Sequence, residues 1–218
     1  MISAVVLDIE GTTSSTGHVH DVLFPYARTR IESWVTAHRD TSLVREVLRE
    51  ASVPQLLEWA DSDTKAAPLK ALQGAIWQHG FAAGELTSHV YPDVLPALRS
   101  WSQSGLRLYV YSSGSVQAQL AWFGHTPDGD LTPFFAGHFD LDTAGPKRDP
   151  RSYQRIAAAI AMPPAQLLFV SDEPTELDAA RSAGWHTIGV ARPGEPVKDL
   201  GSHPVFDDLP VLPIELGS

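Results

Sequence analysis

The chain has 218 residues, room for one large domain or one domain with an inserted subdomain, and enough to bury a core without metal or disulfide staples. An apolar share of 43 % with 19 % charged residues argues against a disordered chain, and zero cysteines exclude a disulfide framework, thiolate catalysis and Cys-ligated zinc or iron–sulfur sites. A net charge of −10 speaks against nucleic acid, no apolar run approaches the roughly 18 residues of a membrane span, and the opening MISAVVLDIEG lacks a signal peptide's basic region, so an acidic cytoplasmic protein with neither nucleic acid nor membrane as partner is expected.

Residues 3–7, SAVVL, are apolar on both faces, which predicts a central parallel strand, and the run ends on Asp8. Residues 17–91 carry no strand pattern. Ile31, Trp34, Val35 and His38 share one helical face, Leu43, Val44, Val47 and Leu48 mark a second helix, and Leu69, Leu72, Ile76 and His79 a third. This predicts a helical subdomain at 17–91 inserted into a core formed by 1–16 and 92–218. A strand at 106–111 then ends on Ser112, and 134–139 reads as an edge strand. Asp149-Pro150 supplies an N-cap and first-turn proline for a helix whose Tyr153, Ile156, Ala157 and Ile160 fall on one face. The strand at 166–170 ends on Ser171 and Asp172, a helix begins near Thr175 and closes at Gly184, and 185–190 is a last strand. The proline-containing tail after Gly194 reads as surface. Strands alternating with helices predict an open α/β sheet with right-handed crossovers.

Ligands bind such sheets at the carboxyl ends of their strands. One Asp at a strand end is ordinarily a cap; polar residues at three strand ends of one sheet, Asp8, Ser112 and Ser171-Asp172, point to a site. In Asp8-Ile9-Glu10-Gly11-Thr12-Thr13 a turn through Ile9 can bring both carboxylates over one pocket, and Gly11 lets the chain bend there. Two carboxylates repel each other and a phosphate unless a cation lies between them. Mg2+, held by Asp8, Glu10 and Asp172, resolves that conflict.

The set DIEGTT, YSSGS, Lys147 and SDEPTE, in that order, resembles the haloacid dehalogenase-like superfamily. The phrases LFPY (23–26), LKALQGAIW (69–77), VYSSGSVQAQ (110–119), FGH (123–125) and GHFD (137–140) extend the resemblance to its enolase-phosphatase (acireductone synthase) family of methionine salvage, over most of residues 4–192. The resemblance implies a Rossmann-like core with a helical cap, Mg2+, and a small phosphorylated diketone, 2,3-diketo-5-methylthiopentyl-1-phosphate, that is enolised and then dephosphorylated to an acireductone. It implies that Asp8 is the nucleophile and a metal ligand, and Glu10 the general acid/base with some metal contact. Ser112, Ser113 and Gly114 would hold phosphate at a helix start, Lys147 would neutralise the phosphate and Asp8, and Asp172 would bind metal. Arg148 is the alternative to Lys147, and Glu173 and Glu176 are weaker candidates for metal contact. The chain is expected to act as a monomer.

Two other readings stay open: another small-metabolite phosphatase of the superfamily, phosphoglycolate-type, and a catalytically silent domain that binds a phosphometabolite. His18 and His20 could share a face, but no third zinc ligand accompanies them. Trp34, Trp59 and Trp77 at helical positions read as core.

Overall fold

The first strand, β1 (Ala4–Leu7), is fully buried, as a strand with side chains packed on both faces must be. The computed structural model describes residues 1–64 and 66–210, and divides into two units, Met1–Thr16 with Ser88–Ser218, and Gly17–Thr87.

In the first unit β1 is followed, after the helical unit, by α7 (Val94–Gln103), β2 (Arg107–Tyr111), α8 (Val116–Gly124) and β3 (Phe135–Phe139). Helix α9 (Pro150–Ile160), β4 (Leu167–Ser171), α10 (Pro174–Ser182), β5 (His186–Val190) and a short β6 (Val205–Phe206) complete it. The six strands form one sheet in the order β3-β2-β1-β4-β5-β6, and every pairing is parallel. The α/β architecture read from the sequence is therefore the observed one, and 135–139 is an edge strand as expected. Asp149 caps α9 by accepting a hydrogen bond from Arg151 N at 3.0 Å, and Tyr153, Ile156, Ala157 and Ile160 are all buried in the core beside Phe169 and Trp185. Helix α10 starts at Pro174, with Glu173 rather than Thr175 at its cap, and Gly184, at φ +85°, turns the chain into β5.

The tail after Gly194 differs from expectation. Leu200 and Leu209 are buried, and β6 pairs with β5. Isolated apolar residues among prolines carry no periodicity, so nothing in the linear chain marks them as packing on the sheet.

The second unit holds α1 (Thr16–His18), a π-helical turn at Val19–Leu23, α2 (Phe24–Arg28), α3 (Ile31–Ala37), α4 (Ser42–Glu50), α5 (Val53–Asp61) and α6 (Ala67–Ala82). Its own core gathers Ile31, Val35, Val44, Val47, Leu56, Leu69, Leu72 and Ile76, with Trp34, Trp59 and Trp77 packed against it. Thr41 and Ser52 cap α4 and α5 through their hydroxyls. Helix α5 lies outside the three helices expected from periodicity, and its S-V-P start is the cap-and-proline signal that marks it. Residues 88–91, assigned to the helical segment from sequence, instead hydrogen-bond to the sheet unit: Ser88 N donates to His125 O at 2.9 Å and Tyr91 N to Thr13 O at 3.0 Å.

Candidate active site

Parallel pairing decides what lies beside Asp8. Leu7 is in register with Val110 on β2 and Val170 on β4, so the residues that follow each strand emerge together at one edge of the sheet. Asp8 N still donates to Val170 O at 3.0 Å. Past it the chain turns back on itself, with the amides of Thr12, Thr13 and Ser14 all donating to Ile9 O. The Thr13 hydroxyl donates to Asp8 O at 3.0 Å, and Asp172 N donates to Thr12 Oγ1 at 3.0 Å, which joins the turn to the end of β4. Buried Arg192 clamps the turn from behind, donating from Nε to Thr12 O at 2.8 Å and from Nη1 to both oxygens of Asp93. Gly11 holds φ +71°, and a Cβ there would sit 2.5 Å from Asp172 Cγ. The turn thus fits around the Asp172 carboxylate, with room for no side chain.

The Asp8 side chain is buried. Its Oδ1 accepts from Ile9 N at 2.7 Å and from Lys147 Nζ at 2.6 Å, and its Oδ2 from the Ser171 hydroxyl at 3.1 Å. Lys147 Nζ also lies 2.6 Å from Glu176 Oε2. Burial works against the Lys147 charge, but the two carboxylates outweigh it and raise the lysine pKa. One ammonium shared by two carboxylates leaves the second poorly compensated. Burial and then the Asp8 charge push Glu176 up to about 7 in spite of the lysine. Arg148 is excluded as the partner of Asp8: its side chain is largely exposed and lies 3.7 Å from Glu173.

Asp172 is also raised, first by burial and then by the charge of Asp8, against the lowering effect of Lys198. Lys198 Nζ stands 2.5 Å from Asp172 Oδ2 and 3.3 Å from Glu173 Oε2. Two carboxylates close enough to perturb each other, offering only hard oxygen donors around a glycine cradle, suit a small divalent cation. The expected trio of carboxylate side chains is not assembled. Glu10 is exposed, and among the described residues no group of three His, Cys, Asp or Glu side chains is placed to hold a metal.

Ser112 is buried, and its Oγ accepts from Gly114 N at 3.3 Å. Ser115 caps α8 by accepting from Ala118 N, and the Asp140 carboxylate accepts from Val116 N at 2.9 Å. Those amides, offered by sequence to an anion at the helix start, are thus already engaged. Gln119 donates to both Gly114 O and Phe139 O at 2.8 Å, which fastens the 112–115 turn to the end of β3. Asp8, Ser112, Lys147 and Asp172 therefore all belong to the carboxyl edge of one sheet. Sequence reasoning missed Lys198, Arg192 and Gln119. Lys198 and Arg192 lie outside every quoted phrase and only the chain path brings them to the site, whereas Gln119 closes the phrase 110–119 but has no role assigned to it there.

A family model for haloacid dehalogenase-like hydrolases matches residues 2–184. Enolase-phosphatase E1 of Streptomyces avermitilis is 54 % identical over 213 residues, covering 92 % of this chain and 89 % of the relative. The protein of the same name from Pseudomonas aeruginosa is 47 % identical and covers 98 % and 99 %. The chain belongs to the enolase-phosphatase family of haloacid dehalogenase-like hydrolases. The crystal structure of the UTR4 protein from Saccharomyces cerevisiae superposes with a TM-score of 0.82 at 34 % identity, over 97 % of this chain and all of that one. CbbY from Rhodobacter sphaeroides in complex with phosphate shares the fold alone, with a TM-score of 0.63 at 17 % identity over 95 % of each chain. As an enolase-phosphatase family member the chain is an enzyme, which removes the silent-domain reading. Among the described residues no helix is long and apolar enough to cross a membrane.

Proposed function

We propose that this enolase-phosphatase converts 2,3-diketo-5-methylthiopentyl-1-phosphate to an acireductone and inorganic phosphate, in the cytoplasm and as a monomer. The observation that carries the chemistry is the buried Asp8 carboxylate, fixed through Oδ1 by Lys147 at 2.6 Å and through Oδ2 by Ser171 at the mouth of a parallel sheet. An Asp so placed is oriented for in-line attack before any substrate arrives, which lowers the entropic part of the barrier.

In this reading an Asp8 oxygen attacks phosphorus, the bond from phosphorus to the substrate's bridging oxygen breaks, and that oxygen leaves with a proton from Glu10. Glu10, two residues along and exposed, then takes a proton from the water that attacks the aspartyl-phosphate, releasing phosphate and restoring Asp8. Lys147 offsets charge on the phosphoryl group, and the Ser112 hydroxyl, which accepts from Gly114 N and keeps its own proton to donate, binds a phosphate oxygen beside the Ser113 amide. Enolisation precedes this and needs a base near C1 and an electrophile near the C2 oxygen. Asp8 and Asp172, with a Glu10 oxygen, would hold Mg2+, which would supply positive charge to offset the phosphate and the paired carboxylates. The helical unit, 17–87, serves as the cap that selects the substrate.

A panel of phosphate esters assayed with Mg2+ tests the reading. Turnover of the diketo phosphate to enol and then phosphate supports it. Preference for phosphoglycolate or a similar ester would replace it with the general phosphatase.

A further inference from the structure

The loop that delivers Lys147 is held in an unusual way. Four successive main-chain carbonyls each accept a hydrogen bond from a different side chain. Arg155 Nη1 donates to Ala144 O at 2.8 Å, Tyr111 OH to Gly145 O at 2.7 Å, Ser152 Oγ to Pro146 O at 2.8 Å, and Tyr153 OH to Lys147 O at 2.8 Å. Ser152, Tyr153 and Arg155 come from the first turns of α9, and Tyr111 from the last position of β2. Tyr111, Tyr153 and Ser152 have no solvent exposure. The loop lies so close to them that Gly145, at φ +107°, cannot take a Cβ: one would sit 2.5 Å from Arg155 Nη1 and 2.8 Å from Ser152 Oγ.

A loop of this length could be satisfied by turns of its own, and a lysine on a four-carbon stem has wide freedom of position. Here both freedoms are removed. The main chain is pinned at four points, and the ammonium, buried and between Asp8 Oδ1 and Glu176 Oε2, has the rings of Tyr111 and Phe169 at 5.7 Å and 5.8 Å. Two of its three protons are directed at carboxylates, and the third is left for a substrate oxygen.

We infer that Tyr111, Ser152, Tyr153 and Arg155 are positioning residues that act through the 144–147 main chain to hold the Lys147 ammonium on Asp8 in the geometry phosphoryl transfer needs. The inference rests on the reading of Lys147 as the group that neutralises the phosphate. It adds that the lysine's placement is set by two tyrosine hydroxyls remote from the reacting atoms in covalent terms. Deleting either tyrosine hydroxyl leaves the ring packing intact and takes the side-chain donor from a carbonyl, Gly145 O or Lys147 O, which lets the loop relax away from its supports, whereas Pro146 O keeps the Asp149 amide at 3.0 Å when the Ser152 hydroxyl is removed.

The test uses Tyr153→Phe, Tyr111→Phe and Ser152→Ala in the full chain, with the diketo phosphate and Mg2+. Misplacement of a catalytic group by even 1 Å costs on the order of 100-fold, so a partial release predicts kcat for phosphate release lower by about tenfold. KM should change less than kcat, because the Ser112 hydroxyl still binds the phosphate. A second readout needs neither metal nor substrate. The Lys147 ammonium, identified in proton–nitrogen NMR by its absence in Lys147→Met, should exchange with water faster in the hydroxyl-deletion variants than in the parent chain. If all variants that fold keep kcat within twofold and an unchanged ammonium signal while Lys147→Met abolishes phosphate release, the rack is structural only and the inference is overturned. If Lys147→Met itself retains the parent rate, the lysine's assigned role fails instead, a result distinct from the first. Should Tyr153→Phe not fold, Tyr111→Phe and Ser152→Ala decide the matter on the same readouts.

Discussion

Lys147 places its ammonium 2.6 Å from Asp8 Oδ1 with both side chains buried, an ion pair set into the core edge rather than on the surface. Such a pair gives little net stability over an apolar alternative, but breaking it leaves a buried charge alone, at a cost of about 3–5 kcal/mol. Lys147→Met is therefore expected to abolish phosphate release and to lower the unfolding free energy by about 3 kcal/mol. Denaturant unfolding checks the second part. A variant as stable as the parent would show that Asp8 and Glu176 do not depend on the lysine.

Asp8→Asn separates the two reactions. Enolisation needs no phosphoryl acceptor, whereas dephosphorylation needs the Asp8 oxygen at phosphorus. With metal occupancy verified, the variant should accumulate a phosphorylated enol while free phosphate stays at background, followed by phosphorus and proton NMR. Phosphate release at the parent rate would remove Asp8 as nucleophile.

Gly11→Ala probes the cradle around Asp172. The left-handed φ of +71° costs a β-carbon on the order of 1 kcal/mol, and the added methyl would collide with the Asp172 carboxylate. The expectation is a modest loss of melting temperature with a much larger loss of Mg2+ affinity, measured by calorimetric titration. Unchanged affinity would separate Asp172 from the metal.

Excess chelator should abolish phosphate release and added Mg2+ restore it, with Ca2+ a poor substitute because it prefers a larger and looser oxygen shell. Metal analysis of the chelated protein completes the test. Full activity in metal-free protein would refute the cation site.

His138 gives a pH prediction away from the metal. Its Nδ1 donates to Gln119 Oε1 at 3.1 Å, since the Gln119 amide nitrogen is committed to Gly114 and Phe139, and its buried Nε2 has no partner. Burial therefore lowers its pKa from 6.5, because protonation would bury an unpaired N–H. Below 6.5 the unfolded chain binds a proton that the folded one refuses, so this contribution to stability is present above 6.5 and is lost as pH falls toward the folded value. An NMR titration of the His138 imidazole should show a midpoint below 6.5, and a midpoint above it would contradict the placement.

The strands could be read from sequence because a buried parallel strand is a short, nearly continuous apolar run, and Ala4–Leu7, Arg107–Tyr111 and Leu167–Ser171 all have that form. Asp8, Ser112 and Asp172 could be read for the same reason: a polar residue that ends such a run must emerge at the sheet's carboxyl edge. Lys147 is legible only through the resemblance of its region to a family motif, for a lysine in a polar loop looks solvated. What buries it is the approach of α9, whose Ser152, Tyr153 and Arg155 appear in sequence as ordinary helix residues. Glu10 shows the reverse, since spacing places it beside Asp8 while the tight turn through Ile9 leaves it exposed. Periodicity and strand ends are local properties and survive in a linear sequence. The partners of Lys147, Asp172 and Arg192 lie up to 180 residues away, and only the packed chain brings them within hydrogen-bonding distance.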